Sequence, residues 1–498
     1  MIHSMPTEQV AFIDEGSTSI RVCAIVVVPH VAVFGLQPYV RRMCGSAPTE
    51  ISCMLSIVLP TCLACACSEQ VLVLLYAALC TFAAAELRRT PRITACAWHG
   101  RSAALTQFRG TLAVQTAFCI LAVDFPLFPR SSAKTLTFGR SLMDLGTGAA
   151  VFASGLSARP IRAFPSDGRV HVRHALPRHL PLLVLGALRL LAVRAVSYHE
   201  AVSEYGTHWN FFFTLGLVRI LSPWLASACG SSPRCSALGA CTLLAVHQAS
   251  LLCGLTGWVR HAPRETLLAA NKEGLVSLAG YLVLALAGRA CAPLLPRFTA
   301  HSTRGAHGAH GAHSSRGAHG AHGEHCLEEV SAREAARCAA LLAFVDVGLW
   351  FAAGTADAWI EPTSRRLCNA AYVLWVVALG LLVLLLAWAR EVLHQAKLMG
   401  GRAGWPMESP MLTAISRHSL AVFMLANMLT GAINLSLETQ HTSNTLAAAI
   451  LTAYMLLLCA TASALEDPRS QGSLLPQVLR QIARRWVASW WAAPSHGH

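Results

Sequence analysis

AYVLWVVALGLLVLLLAWA, residues 371–389, runs without a single charged side chain. At 1.5 Å per residue a helix of this length spans roughly 28 Å, close to the thickness of a bilayer's hydrocarbon core. A helix is the form it must take there, because lipid offers no partner for an open backbone N–H or C=O. Comparable blocks are Trp209–Ala226, Leu238–Leu255 and Thr445–Leu465, and Val71–Ala85 is a shorter apolar core that spans if its flanks are included. Over the whole chain 54% of residues are hydrophobic and 13% charged. Soluble domains carry about 25% charged residues. The sequence therefore reads as an all-α, polytopic integral membrane protein.

At helix length, about 13 segments qualify. They are 19–38, 51–67, 70–86, 110–128, 141–157, 180–196, 209–228, 236–255, 275–295, 335–353, 370–389, 413–436 and 444–465. Loops 39–50, 87–109, 157–179, 229–235, 296–334, 390–412 and the tail hold about 24 Lys and Arg, against about 8 in the alternate set, and the richer set marks the cytosolic side. This predicts a lumenal N-terminus and a cytosolic C-terminus. The expected organisation is a lumenal segment 1–18, nine transmembrane helices over 19–295, a cytosolic loop 296–334, four more helices over 335–465 and a cytosolic tail 466–498. Residues 1–18 carry no Lys or Arg, so they lack the basic flank of a cleavable signal, and the first helix is expected to stay as an anchor.

The net charge of +14 does not point to nucleic acid, since no aromatic-interleaved basic patch accompanies it. Most of the 18 cysteines sit in apolar blocks; Cys62, Cys65 and Cys67 have no polar neighbours to support a metal and read as small hydrophobes. The repeat GAHGAHGAHSSRGAHGAHGEH at 305–325 has nothing to bury and reads as a disordered linker, its histidines able at most to bind divalent metal weakly.

Ionisable residues at membrane depth cost several kcal/mol unless paired or used, so they are the informative ones. Four clusters stand out, all on the lumenal side of the predicted topology. In AVDFPLFPRSSAKTLTFGRSLMDLGTG (122–148), Pro126 and Pro129 break the helix after Asp124; Lys134 follows ten residues on, and Asp144 enters the next helix. A structural ion pair explains these residues as well as a catalytic one does. In YHEAVSEYGTHWNFFF (198–213), Glu200, Glu204 and His208 would share one helix face. Their spacing is not that of HExxH zinc sites, and Gly206 weakens the helix; substrate contacts or a lumenal ion network remain open beside a metal. In APRETLLAANKEGLVSLAGY (262–281), Asn271 and Lys272 open a span, as either a phosphate-binding helix start or an ordinary cap. The fourth cluster joins Arg365, Arg366, Asn369 and Trp375 with LANMLTGAINLSLET (425–439), where Asn427, Thr430 and Asn434 form a polar stripe that interhelical hydrogen bonding also explains. Together these describe a lumen-facing polar cavity, suited to an enzyme on a lipid-linked substrate or to a transporter. A transporter built from inverted repeats should show internal symmetry, and no convincing symmetry is present.

Six strings, VDFPLFPR with the following AK, SLMDLGTG, HEAVSEYGTHWNFFFTL, NKEGLVSLAGY, AAYVLW and LANMLTGAINLS, lie in order between residues 123 and 436. In that order they resemble the glycosylphosphatidylinositol (GPI) inositol acyltransferase family. The resemblance implies an enzyme of the endoplasmic reticulum membrane. It would transfer a fatty acyl group, commonly palmitoyl, from acyl-CoA to the inositol 2-hydroxyl of glucosaminyl-phosphatidylinositol. Acyl-CoA is then a co-substrate, and no cofactor, metal or nucleic acid is expected. The resemblance points to Asp124 and Lys134 as the catalytic pair. Asp124 suits a general base, if burial raises its basicity, and Lys134 an oxyanion stabiliser or a support for Asp124. Asp144, Glu204, His208, Asn210, Lys272 and Asn434 are expected as substrate-positioning or supporting residues, with His208 the rival base.

Overall fold

The computed structural model describes residues 12–13, 16–44, 49–89, 95–97, 103–158, 168–195, 202–230, 232–292, 329–399 and 409–466. The 305–325 repeat, His199 and Glu200 lie outside the described residues. In chain order the elements begin with β1 (Phe12–Ile13), α1 (Ser19–Cys44), α2 (49–66), α3 (Glu69–Arg88), β2 (Ala95–Ala97), α4 (Ala103–Ala122), β3 (Lys134–Thr135), α5 (Leu142–Leu156) and α6 (Gly168–Ala195). They continue with α7 (Val202–Tyr205), α8 (Phe211–Cys229), α9 (Pro233–His261), α10 (Leu267–Ala270) and α11 (Lys272–Cys291). The last are β4 (Glu329–Ser331), α12 (Ala332–Trp359), α13 (Ala370–Met399), α14 (Pro410–Arg417), α15 (Ser419–Ser436) and α16 (Asn444–Glu466).

Among the described residues nine helices are long and apolar enough to cross a membrane, lying within α1, α3, α8, α9, α11, α12, α13, α15 and α16. The chain is an all-α polytopic membrane protein. Helices also occupy the other four expected windows, and two of these, 51–66 and α5, are shorter apolar helices. Apolar side chains such as Leu74 on α3 and Phe344 and Phe351 on α12 are exposed, as a lipid-facing surface requires.

Several boundaries differ from the sequence reading, each for a local reason. Helix α4 stops at Ala122 rather than 128, because the Pro126–Pro129 segment cannot continue it. Residues 168–179, expected as loop, form the start of α6 despite Pro177; its arginines and histidines had hidden it from a hydropathy threshold. Helix α9 contains a π-helical turn at Leu251–Leu255, where Gly254 adopts φ +113°. The expected span 413–436 is divided at His418 into α14 and α15.

Helix α13 is the buried centre, with Tyr372, Trp375 and Val376 wholly covered. Helices α12, α5 and α11 pack around it, and α5 and α11 cross at Gly155 and Gly288. A Cβ on Gly288 would collide with the Phe152 carbonyl oxygen and one on Gly155 with that of Ala285, so both backbones need glycine to approach. We expect Gly288→Val to force the helices apart at a cost of about 1–3 kcal/mol or more. The check is a lowered thermal midpoint of the detergent-solubilised protein, read as the monodisperse fraction after heating.

Two short strand pairings tie the non-helical segments. β1 runs parallel to β3, with Phe12 opposite Lys134 and Ile13 opposite Thr135, and β2 runs antiparallel to β4. The first of these joins the N-terminal segment to the strand that carries Lys134.

Candidate active site

Past the end of α4 the chain turns sharply and its loop is closed from within. The Arg130 guanidinium donates to the carbonyls of Val123 at 2.9 Å and Phe125 at 2.8 Å, while Phe125 and Phe128 are buried as anchors. Asp124 is held in this loop, half-buried, and its carboxylate accepts a hydrogen bond of 2.9 Å from Asn434 Nδ2 on α15. Burial raises the Asp124 carboxyl above its ordinary value, and the Asn434 hydrogen bond and the charges of Arg130 and Lys134 offset only part of that rise. The result is a carboxylate made more basic in a fixed position.

Ten residues on, β3 presents Lys134, whose ammonium donates to both oxygens of Glu204 at 2.8 and 2.9 Å. Glu204 comes from α7 and also accepts from Arg365 Nη1 at 3.1 Å. Burial works to raise the Glu204 carboxyl, but Lys134 and Arg365 outweigh it and hold the group down at about 2. Arg365 Nε in turn donates to Asp144 Oδ1 at 2.9 Å. Asp144 is fully buried in the first turn of α5, where Ser141 caps the helix. Its other oxygen accepts from Ser141 Oγ at 2.8 Å and Thr135 Oγ1 at 2.9 Å. Charges therefore alternate along Asp144, Arg365, Glu204 and Lys134. Segments far apart in the sequence meet in this chain: the start of α5, the loop before α13, α7 and β3.

The helix on which Glu204 and His208 would share a face does not form. Val202–Tyr205 is helical, and Gly206, at φ +122°, then turns the chain against Asn271 before His208. A side chain at Gly206 would meet the Asn271 backbone, so glycine is required on both grounds. The His208 backbone N–H donates to Asn271 Oδ1 at 2.8 Å, and its imidazole Nδ1 is buried without a hydrogen-bond partner. Asn210 caps α8, accepting from Phe212 N at 3.0 Å, and donates to the Gly186 carbonyl at 2.8 Å. The Lys272 ammonium donates to the Ala262 carbonyl. Beside it Glu273, fully buried, is gripped by Arg264 and, at 3.2 Å, by Arg366. The carboxylate in the first turn of α11 is thus already paired with two guanidiniums. Among the described residues no group of His, Cys, Asp and Glu is arranged to hold a metal ion.

The model of the GWT1 family matches residues 7–465. The chain belongs to the GWT1 family. GPI-anchored wall transfer protein 1 of Gibberella zeae is 34% identical over 385 residues, covering 73% of this chain and 72% of that protein. The protein of the same name from Candida albicans is 32% identical, covering 71% and 72%. The glucosaminyl-phosphatidylinositol-acyltransferase PIGW of Bos taurus is 29% identical over 398 residues, covering 72% of each chain. In this GWT1-family chain Asp124 bonds Asn434, and Lys134, Glu204 and Asp144 are linked through Arg365, while His208 is held through its backbone by Asn271. Asn210 and Lys272 are committed to backbone carbonyls.

Arg365 is the residue that the sequence reading noted without giving it a role. Its signal was present: Arg365 and Arg366 are adjacent cations in a loop placed on the lumenal side, where the positive-inside rule disfavours them. Cations retained there are held by buried carboxylates.

Proposed function

We propose that this protein is an inositol acyltransferase of GPI-anchor biosynthesis, carrying an acyl group, commonly palmitoyl, from acyl-CoA to the inositol 2-hydroxyl of glucosaminyl-phosphatidylinositol. The reading places it in the endoplasmic reticulum membrane with thirteen spans, a lumenal N-terminus and a cytosolic C-terminus. Membership of the GWT1 family supports it, as does the name of the bovine relative. The observation that carries it is local. Asp124, a carboxylate of raised basicity, is fixed by Asn434 in the electrostatic field of the Lys134 ammonium.

The reaction then needs no acyl-enzyme. Asp124 accepts the proton of the inositol hydroxyl as its oxygen attacks the thioester carbonyl. Lys134 stabilises the negative charge that develops on the carbonyl oxygen. The C–S bond breaks, the ester remains on inositol, and the CoA thiolate leaves with the proton that Asp124 had taken. Holding both substrates in one site removes the entropic cost of their encounter.

A base must be deprotonated to act, so activity is present above the Asp124 pKa and is lost as pH falls through it. Because burial raises that pKa, the acid limb of kcat/KM is shifted upward from the pH of an unperturbed aspartate. Purified protein with acyl-CoA and glucosaminyl-phosphatidylinositol tests the reading directly. Free CoA thiol and a product heavier by one acyl chain are expected in equal amounts. Product without thiol release moves the donor to another lipid, and no product overturns the reading.

A further inference from the structure

Exposure rises steadily along the alternating charges. The side chains are 0% exposed at Asp144, 3% at Arg365, 15% at Glu204 and 27% at Lys134. The chain therefore starts in the protein interior and ends on an ammonium that is partly exposed. An ion pair serving only to join α5 to the loop before α13 would end at Asp144 and Arg365. Here Arg365 also turns a second nitrogen to Glu204, and Glu204 spends both oxygens on Lys134.

The loop that carries Arg365 is built to keep it still. Thr363 donates through its backbone at 2.7 Å and its hydroxyl at 2.6 Å to Asp357, which also pairs with Arg140. Ser364 Oγ donates to the Thr137 carbonyl at 2.5 Å. Asn369 accepts from Ser364 N at 3.1 Å and donates to the Pro362 carbonyl at 2.8 Å and to Glu361 at 3.1 Å. Cys368, at φ +49°, lies against Gly280 of α11, where no larger residue fits. Burying a guanidinium is costly unless carboxylates meet it in good geometry, and two do.

We propose that Arg365 and Glu204 are a positioning pair that fixes the Lys134 ammonium and screens its charge from Asp124. The proposal rests on the reading of Asp124 as base and Lys134 as oxyanion stabiliser. Without Glu204 the full charge of the Lys134 ammonium would act on Asp124, which already feels it, and would weaken the base. Glu204 offsets that charge, and Arg365 keeps Glu204 where it can do so. Among the described residues the charged groups that act on Asp124 are Arg130 in its own loop and Lys134 on β3, with neutral Asn434 on α15. Those around Glu204 are Lys134, Arg365 and Arg189 of α6. Arg365 also faces Tyr205 and Tyr281.

Opposite charges in the pair give opposite signatures. Glu204→Gln removes one negative charge from beside Lys134, Arg365 and Arg189, so Asp124 ionises more readily. The acid limb of kcat/KM should move down by about half to one pH unit, with kcat reduced about tenfold or more. Arg365→Gln removes one positive charge from beside the ionised Glu204 and Asp144, and the limb should move up by a similar amount. Arg365→Lys should return the limb to the wild-type position and recover part of kcat. A merely structural role would lower the yield or rate of both variants without moving the limbs in opposite directions, and that result overturns the proposal. If Arg365→Gln does not fold, the direction of the Glu204→Gln shift decides, since an unmoved or raised limb refutes it. Asp124→Asn is measured alongside. An inactive Asp124→Asn with an unmoved Glu204→Gln limb removes this inference alone, whereas an active Asp124→Asn removes the base reading beneath it.

Discussion

Asp124→Asn should abolish acyl transfer, lowering kcat by about 10² to 10⁴, the range a positioned general base contributes. The substitution is close to isosteric, and the amide oxygen still accepts from Asn434 Nδ2, so the loop closed by Arg130 keeps its shape. What is lost is the capacity to take a proton. An inositol hydroxyl is a poor nucleophile without that help, and the remaining rate comes from substrate proximity and from Lys134. KM for either substrate should change far less than kcat, because Asp124 contributes chiefly in the transition state. His208 is the alternative base. Its imidazole is buried with Nδ1 unpartnered, and Asn271 fixes its backbone. Loss of all activity in His208→Ala beside near-normal transfer in Asp124→Asn would reverse the assignment.

The second large effect is on folding. Asp144→Ala removes the carboxylate that meets Arg365 Nε at full burial and leaves a guanidinium in the interior with Glu204 as its one carboxylate partner among the described residues. Breaking a buried pair from one side typically costs about 3–5 kcal/mol, a large share of a membrane protein's margin. The hydrogen bonds from Thr135 and Ser141 are lost with it, so β3 and the cap of α5 loosen together. We expect little monodisperse protein after detergent extraction. Asp144→Asn, which keeps an oxygen for Thr135 and Ser141, should be recovered in greater amount. An Asp144→Ala protein of normal yield and thermal midpoint would show that this ion pair does not hold the two segments together.

The membrane class was legible because hydropathy is a local property: AYVLWVVALGLLVLLLAWA declares itself without reference to any other residue. Boundaries were less so where charge interrupts a helix, as in α6, whose first turns carry Arg169 and Arg173. The prolines after Asp124 marked a helix break, since their effect is also local, although the expected span ran on to 128 and α4 ends at Ala122. The partners in the site were not legible. Lys134 and Glu204 lie 70 residues apart, and Arg365 lies 161 from Glu204 and 221 from Asp144. No spacing rule reaches over such distances. Gly206 shows the limit in miniature. It was recognised as a weak point in a helix, yet its φ of +122° and the Asn271 backbone packed against it come from a segment some 65 residues away.

The central claim is tested most directly by labelled acyl transfer in membranes from cells that lack their own inositol acyltransferase. Labelled palmitoyl-CoA and glucosaminyl-phosphatidylinositol would be supplied to the wild-type chain, Asp124→Asn and Lys134→Ala at matched expression. The account predicts an acylated inositol lipid from the wild type and none above background from either variant. Equal product from all three would keep the reaction and remove the site, and no product from a well-expressed wild type would contradict the account itself.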